Sequence, residues 1–404
     1  MDALKIMDQL DQLRPALQPI VSAITHQIVG YEVLGRFATE DGVISLGPFF
    51  NDPEIPEDFK NEIDGHLLNL AVDHMLEQKL PGYLSINRSG AQLLADDGEV
   101  LLQQLEKQEK KGFRMDRFVL EVTEHDIAGD FENLSHLLRY YKTYGLQLAI
   151  DHIGGESSNI DRIRTLQPHI LKINASLTRS SNLENFQDVL HTLSVLARRI
   201  GAVLAYEHIE DVNQLYFAWK NNGHYYQGYY LGKPSCTLTS NQALAIPITE
   251  QIHEFVEREK QLIQQRLAFA EACGMRLKKL RKWQSEERAD ALLHDAQGLF
   301  DEEAFRLYIC DSNGRQVSSN LRRHGEAWSL EEDIRGANWA FRPYFLETML
   351  QMQLTHKGRL SDLYSDIETR EFIRTFSYPL TNDYFLFIDI SSSFLTERDY
   401  LFMN

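Results

Sequence analysis

Seven polar residues stand where the chain could gather them: Glu32, Asn87, Glu121, Asp151, Lys172, Glu207 and Gln227. Each lies inside a short apolar run, at its end, or just after it. Three or four carboxylates with an amide carbonyl are hard oxygen donors, suited to Mg²⁺, Mn²⁺ or Ca²⁺. A single Glu or Asp at a strand end is more often a cap or an ion-pair partner. Seven such residues in one register make a shared site the stronger reading.

The elements that would position them are β-rich runs. Eight occur before residue 235, at 17–21, 30–37, 82–87, 118–122, 146–151, 170–173, 202–206 and 225–229. Several are almost wholly apolar, as expected of strands buried on both faces. Helical patterns separate most of them: Ile63, Leu67, Leu70, Ala71 and Met75 share one face, as do Phe186, Val189, Leu190, Leu193, Leu196, Ala197 and Ile200. The alternation predicts an α/β fold, a TIM-type (β/α)₈ barrel whose functional groups collect at the strand ends. One connection departs from that pattern. Residues 22–29 are too few for a parallel crossover, which needs about a dozen. The first two strands should therefore pair antiparallel, giving a modified barrel.

The chain has 404 residues and a formal net charge of −18, and no block of Lys and Arg stands apart from the acidic residues. That argues against nucleic acid or an anionic membrane as the main partner. A small anion remains compatible if a metal or a few aimed cations hold it. Cys236, Cys273 and Cys310 are odd in number and form no CxxC pair, so they give neither a disulfide framework nor a zinc site. The first 14 residues lack the apolar core of a signal peptide. A reduced, cytoplasmic protein is expected.

The residues also carry a family resemblance. Gln18-Pro19-Ile20, Tyr31-Glu32-Val33-Leu34-Gly35-Arg36, Asn87, Glu121-Val122-Thr123-Glu124, Asp151-His152-Ile153-Gly154, Leu171-Lys172-Ile173 and Gln227-Gly228-Tyr229-Tyr230 resemble, in order, the EAL domains of cyclic di-GMP (c-di-GMP) signalling. The resemblance covers roughly residues 15–240. It implies c-di-GMP as partner and a divalent metal as cofactor. By motif, Glu32, Asn87, Glu121 and Asp151 would be metal ligands. Lys172, Glu207 and Glu124 would serve the catalytic region, and Gln18, Leu34, Arg36 and Gln227 would line the nucleotide groove. Hydrolysis in this family relies on paired metals that lower the pKa of a bridging water.

Two departures bear on that chemistry. His152 stands where the family has a second Asp, and a neutral imidazole is a borderline ligand for hard cations. The loop that reads DDFGTGYSS in the family is here Asp151-His152-Ile153-Gly154-Gly155-Glu156-Ser157-Ser158, one residue shorter and without the Thr. Asn174 also replaces an Asp. The expectation is a c-di-GMP receptor with weak or absent phosphodiesterase activity. The alternatives are an active phosphodiesterase that makes linear pGpG, and a module that has lost the nucleotide.

After the barrel (1–247), residues 248–290 read as a connecting helix, either laid on the barrel or forming a dimerising or signal-carrying rod. A homodimer and an effector protein are the expected macromolecular partners. Residues 291–404 read as an α+β module. Strands at 305–310 and 316–319 would flank a turn, and strands at 372–379 and 384–390 would pair. The order of motifs resembles PAS-like and Cache-type sensors, and the region looks like that of the YkuI group of EAL proteins. The resemblance makes Arg342, Tyr344, Tyr364 and Asp389 candidates for gripping a small ligand. Equally, the aromatics would be core and Arg342 an ion-pair partner.

Overall fold

The computed structural model describes residues 3–123, 130–153, 160–176, 183–238, 244, 247–280, 282–342 and 345–402, with the side chains of 183–188 left aside. Glu124, Tyr344 and the shortened loop at 154–159 lie outside the described residues. The chain divides into two units, Met1–Phe255 and Val256–Asn404.

In the first unit, β1 (Leu13–Ser22), β2 (Ile28–Thr39), β3 (Gly42–Ser45), β4 (Tyr83–Asn87), β5 (Phe118–Thr123), β6 (Gln147–Ile153), β7 (Ile170–Asn174), β8 (Val203–Glu207) and β9 (Gly223–Tyr226) form one sheet. Its order is β1-β9-β8-β7-β6-β5-β4-β2-β3, and β1 also pairs with β2, so eight strands close a barrel and β3 is appended outside it. The short connection has the predicted effect: β1 runs antiparallel to β2. It also runs antiparallel to β9, so a single reversed strand closes an otherwise parallel barrel. The alternation of strand and helix thus yields the mixed α/β, TIM-type architecture.

The helix Glu57–Glu77 follows a face shifted from the expected one. Ile63, Leu67, Ala71 and Met75 are buried as foreseen, joined by Leu68 and Val72, while Leu70 is 40% exposed. Residues 67, 68, 71, 72 and 75 follow the a/d/e spacing of a broad buried stripe, and Leu70 falls just outside it. In the helix Leu183–Ile200, Leu190, Leu193 and Ala197 are buried, whereas Val189 is exposed.

The helix Ile248–Leu277 crosses the division between the units. Among the described residues no helix is long and apolar enough to cross a membrane. In the second unit, β10 (Ala304–Asp311), β11 (Asn320–His324), β12 (Ala327–Glu331), β13 (Arg359–Leu360), β14 (Tyr364–Ser365), β15 (Phe372–Pro379) and β16 (Tyr384–Ile390) make an antiparallel sheet, and β14 pairs with β15 at its margin. The pairing of β15 with β16 matches the expectation. The first hairpin is displaced. Gln316 makes only an isolated bridge to Cys310, and the strand that pairs with β10 begins four residues later, opposite Arg306 and Leu307. Val317 N donates to Ile309 O, but the Ser318 hydroxyl, not a backbone carbonyl, accepts from Ile309 N, and Ser319 Oγ bonds Asp290, so 316–319 run beside β10 without a regular ladder. Leu307 and Ile309 on one face of β10 join the core under the helix Ala289–Gln297. Tyr308 and Cys310, on the other face, pack with Phe385, Phe387 and Phe345.

Candidate functional site

A layer of apolar side chains fills the barrel at Val119, Ala149, Ile170 and Ala205, with Tyr83 and Tyr225 against it. Side chains two residues apart on a strand share a face. One step further along, the same inward face therefore presents Ser85, Glu121, Asp151, Lys172, Glu207 and Gln227. A second step along β4 presents Asn87. The pairing register places Gln18 opposite Glu32, Glu32 beside Ser85, and Asn87 beside Glu121. Residues far apart in sequence thus meet at the C-terminal ends of the parallel strands.

Lys172 is the hub. Its Nζ lies 2.7 Å from Glu121 Oε2, 3.2 Å from Glu207 Oε2 and 3.3 Å from Glu32 Oε2. Glu32 also accepts from Asn87 Nδ2 at 2.8 Å and from Gln227 Nε2 at 2.6 Å. Gln227 Nε2 reaches Gln18 Oε1 at 3.3 Å. Gly228 lets Gln227 sit there. Its φ is 155°, and a Cβ would meet Ile209 O at 2.1 Å. Ser85 donates to Glu121 Oε1, a contact the sequence reading overlooked. The signal for it was present, because Ser85 lies two residues before Asn87 on the same strand.

Burial opposes the charge on Lys172, but Glu121, Glu32, Glu207 and Asp151 outweigh it and raise its pKa well above the usual lysine value. One buried ammonium serves four carboxylates, with only the more exposed His152 and His208 against Asp151 and Glu207. Burial pushes Glu121 up to about 8 despite the neighbouring lysine. Burial would raise Glu207 as well, but Lys172 and His208 hold it below the ordinary carboxylate range. Glu207 Oε1 is buried and has no hydrogen-bond partner among the described residues, with His208 Nδ1 3.5 Å away. A buried excess of carboxylate with an unsatisfied oxygen fits a divalent cation. Asp151, His152 and Glu207 each offer a donor atom within 4.8 Å of the others.

His152 takes a different character from the neutral ring expected. Its Nδ1 lies 3.0 Å from Asp151 Oδ2, and that hydrogen bond raises its pKa to about 9, against the effect of burial. Contact with Asp151 thus favours the charged form of the ring. His208 repeats the arrangement on Glu207. Both histidines have φ of 59° and turn back on the carboxylate before them. His208 was not singled out from the sequence.

Leu34 and Arg36 follow Glu32 on the same face of β2 and are half-buried. Arg36 Nη1 donates to Gly35 O at 2.9 Å, and among the described residues Arg36 has no ion pair. In the second unit, Arg342 lies over the Trp339 ring, 4.4 Å from its centroid. Asp389 is fully buried, accepting from Arg306 Nε at 2.7 Å and Thr375 Oγ1 at 2.6 Å, and Tyr364 Oη bonds the same Thr375. Arg306, which sequence reading passed over, also holds Asp366 and Glu368.

The EAL domain family matches residues 2–234, and the EAL-domain associated signalling protein domain matches 240–402. The chain belongs to the EAL-domain family. It is 42% identical over 404 residues to the EAL-domain containing protein YkuI of Bacillus subtilis, covering 99% of each chain. The crystal structure of B. subtilis YkuI, in complex with c-di-GMP and calcium, superposes with a TM-score of 0.90 at 39% identity, covering 99% of this chain and 100% of that one. The probable cyclic di-GMP phosphodiesterase PdeD of Escherichia coli is 23% identical over 54% of this chain and 40% of its own length.

Proposed function

We propose that the barrel binds c-di-GMP across its strand ends together with a divalent metal, and that the chain acts as a receptor with weak or no phosphodiesterase turnover. The observation that carries this reading is the buried carboxylate cluster around Lys172, with Arg36, which has no ion pair among the described residues, two same-face steps beyond Glu32 on β2. Glu32, Asn87, Glu121 and Asp151 would hold the metal, which supplies Lewis-acid polarisation of a phosphodiester oxygen. Gln18, Leu34, Arg36 and Gln227 would meet the nucleotide. The complex of B. subtilis YkuI with c-di-GMP and calcium supports the ligand. The weak-turnover part rests on His152, which puts an imidazole where the family pattern has a carboxylate, its Nδ1 3.0 Å from Asp151 Oδ2.

A second reading, an active phosphodiesterase giving pGpG, is favoured by Lys172 and Glu207, both in contact at the centre of the site. Calorimetry with c-di-GMP, with and without divalent metal, followed by chromatography for pGpG separates the two. Binding without product supports the receptor, and turnover supports the enzyme. In the receptor reading, residues 291–404 act as a PAS-like module after a connecting helix, and bound dinucleotide alters contacts with an effector protein within a homodimer. Light scattering checks the dimer.

Two substitutions test the site directly. Arg36→Ala should weaken c-di-GMP binding by about 1.5–3 kcal/mol, the loss of a charge-assisted hydrogen bond. Unchanged affinity would place the phosphate elsewhere. Glu121→Gln keeps the shape but removes the charge a hard cation needs. It should abolish the rise in Tm that Ca²⁺ or Mg²⁺ gives the parent, and an equal rise in both proteins would show that Glu121 is not a ligand.

A further inference from the structure

The second unit holds a cavity of about 70 Å³ beside Tyr308, on the sheet face opposite its larger core. At about 10–15 Å³ per water-sized centre, it has room for about five to seven non-hydrogen atoms. Most polar groups in its wall are already spent. Arg306 is neutralised by Asp389, Asp366 and Glu368. The Gln316 amide accepts from Trp339 Nε1 at 2.9 Å and donates to Asn320 Oδ1 at 2.9 Å.

Three groups are left over. Tyr308 is 6% exposed and, among the described residues, its hydroxyl has no hydrogen-bond partner. Asn320 is 3% exposed, and its Nδ2 likewise has none. Glu368 gives one oxygen to both Arg306 and Arg322, each at 2.9 Å, and its Oε1 accepts from no described residue. Tyr308 and Asn320 are buried residues lining this opening, and Glu368 stands at its exposed mouth, so a ligand entering there finds polar groups that no side chain has claimed.

The charged groups that line the cavity are equal in number, Arg306 and Arg342 against Asp366 and Glu368. A ligand of one sign would upset that balance. A molecule carrying both signs meets an unfilled amide donor, an open carboxylate oxygen and a hydroxyl that can serve either. We propose that this cavity binds a small zwitterion of the amino-acid type, its carboxylate toward Asn320 and Arg342 and its ammonium toward Glu368 and Tyr308. Trp339, under the Arg342 guanidinium, forms an aromatic wall.

The test uses the full chain. Thermal unfolding is followed with each standard amino acid at about 10 mM, a concentration that reveals millimolar binding through its linkage to stability. Propionate and ethylamine serve as probes with one charge each. At least one small amino acid should raise a Tm by about 3 °C or more, while the single-charge probes do not. Tyr308→Phe, which removes one oxygen, should weaken that binding about fivefold or more without lowering the ligand-free Tm. Glu368→Gln, at the solvent side, should do the same and carries the test if the first variant is unstable. No shift with any amino acid overturns the proposal and leaves the cavity to ordered water. So does a shift that both variants retain. Retention of the shift in Glu121→Gln shows that it is independent of the barrel.

Discussion

Replacing Lys172 with Met should destabilise the metal-free protein by about 3–5 kcal/mol, the cost of removing one partner from a buried ion cluster. Nζ sits within 3.3 Å of three carboxylates, and Lys172 is only 3% exposed. An exposed salt bridge would be worth far less, because water takes over its role. Here the three carboxylates are buried with the ammonium, and Glu121, already pushed up by burial, loses the neighbour that opposes this shift. A divalent ion should therefore recover more stability in the variant than in the parent. Urea unfolding in EDTA and in excess Ca²⁺ checks both. A loss below about 1 kcal/mol in EDTA, the scale of a solvent-exposed pair, would mean that the cluster is hydrated and that Lys172 does not hold it together.

The barrel was legible in the sequence because its strands are apolar runs and its functional groups keep the period of two. Val119 and Glu121, Ile170 and Lys172, and Ala205 and Glu207 each read as one apolar and one polar step along the same face. The antiparallel first pair was legible from connection length alone. The rest depended on contacts that no spacing encodes. Strand β3 is four residues long and its Val43 and Ile44 are both exposed, so no buried face marks it. Ser85 matters only through its carboxylate neighbour on another strand. His208 gained its role from a backbone turn at φ of 59°. In the second unit, Arg306 read as one charge in an apolar strand. Its partners come from a loop and from β16, 60 and 83 residues away. The displaced hairpin shows the same limit, since the Ser318 hydroxyl takes the Ile309 amide and Ser319 bonds Asp290, 29 residues away.

Restoring a carboxylate at position 152 should raise pGpG production about tenfold or more with Mg²⁺ or Mn²⁺, a change of the size that metal-shell substitutions commonly bring. The parent ring lies 3.0 Å from Asp151 Oδ2, so it occupies one ligand of the candidate metal site and favours its own charged form there. In His152→Asp that ring is replaced by an anion beside Asp151 and Glu207, whose donor atoms already lie within reach of a common ion. A second metal would then be better held, and it would lower the pKa of the attacking water. The backbone should accept the change, because Asp, like His, tolerates the left-handed conformation found here. The short loop after Gly154 limits the gain, since a small misplacement of reacting groups costs a large factor in rate. The comparison therefore includes parent, His152→Asp, and His152→Asp with one residue inserted after Gly154, assayed for pGpG at saturating c-di-GMP. The insertion should add to the gain. Vigorous turnover by the parent would sink the receptor reading. No gain in either variant would move the defect away from position 152, to Asn174 beside Glu207 on the neighbouring strand or to the turn at His208.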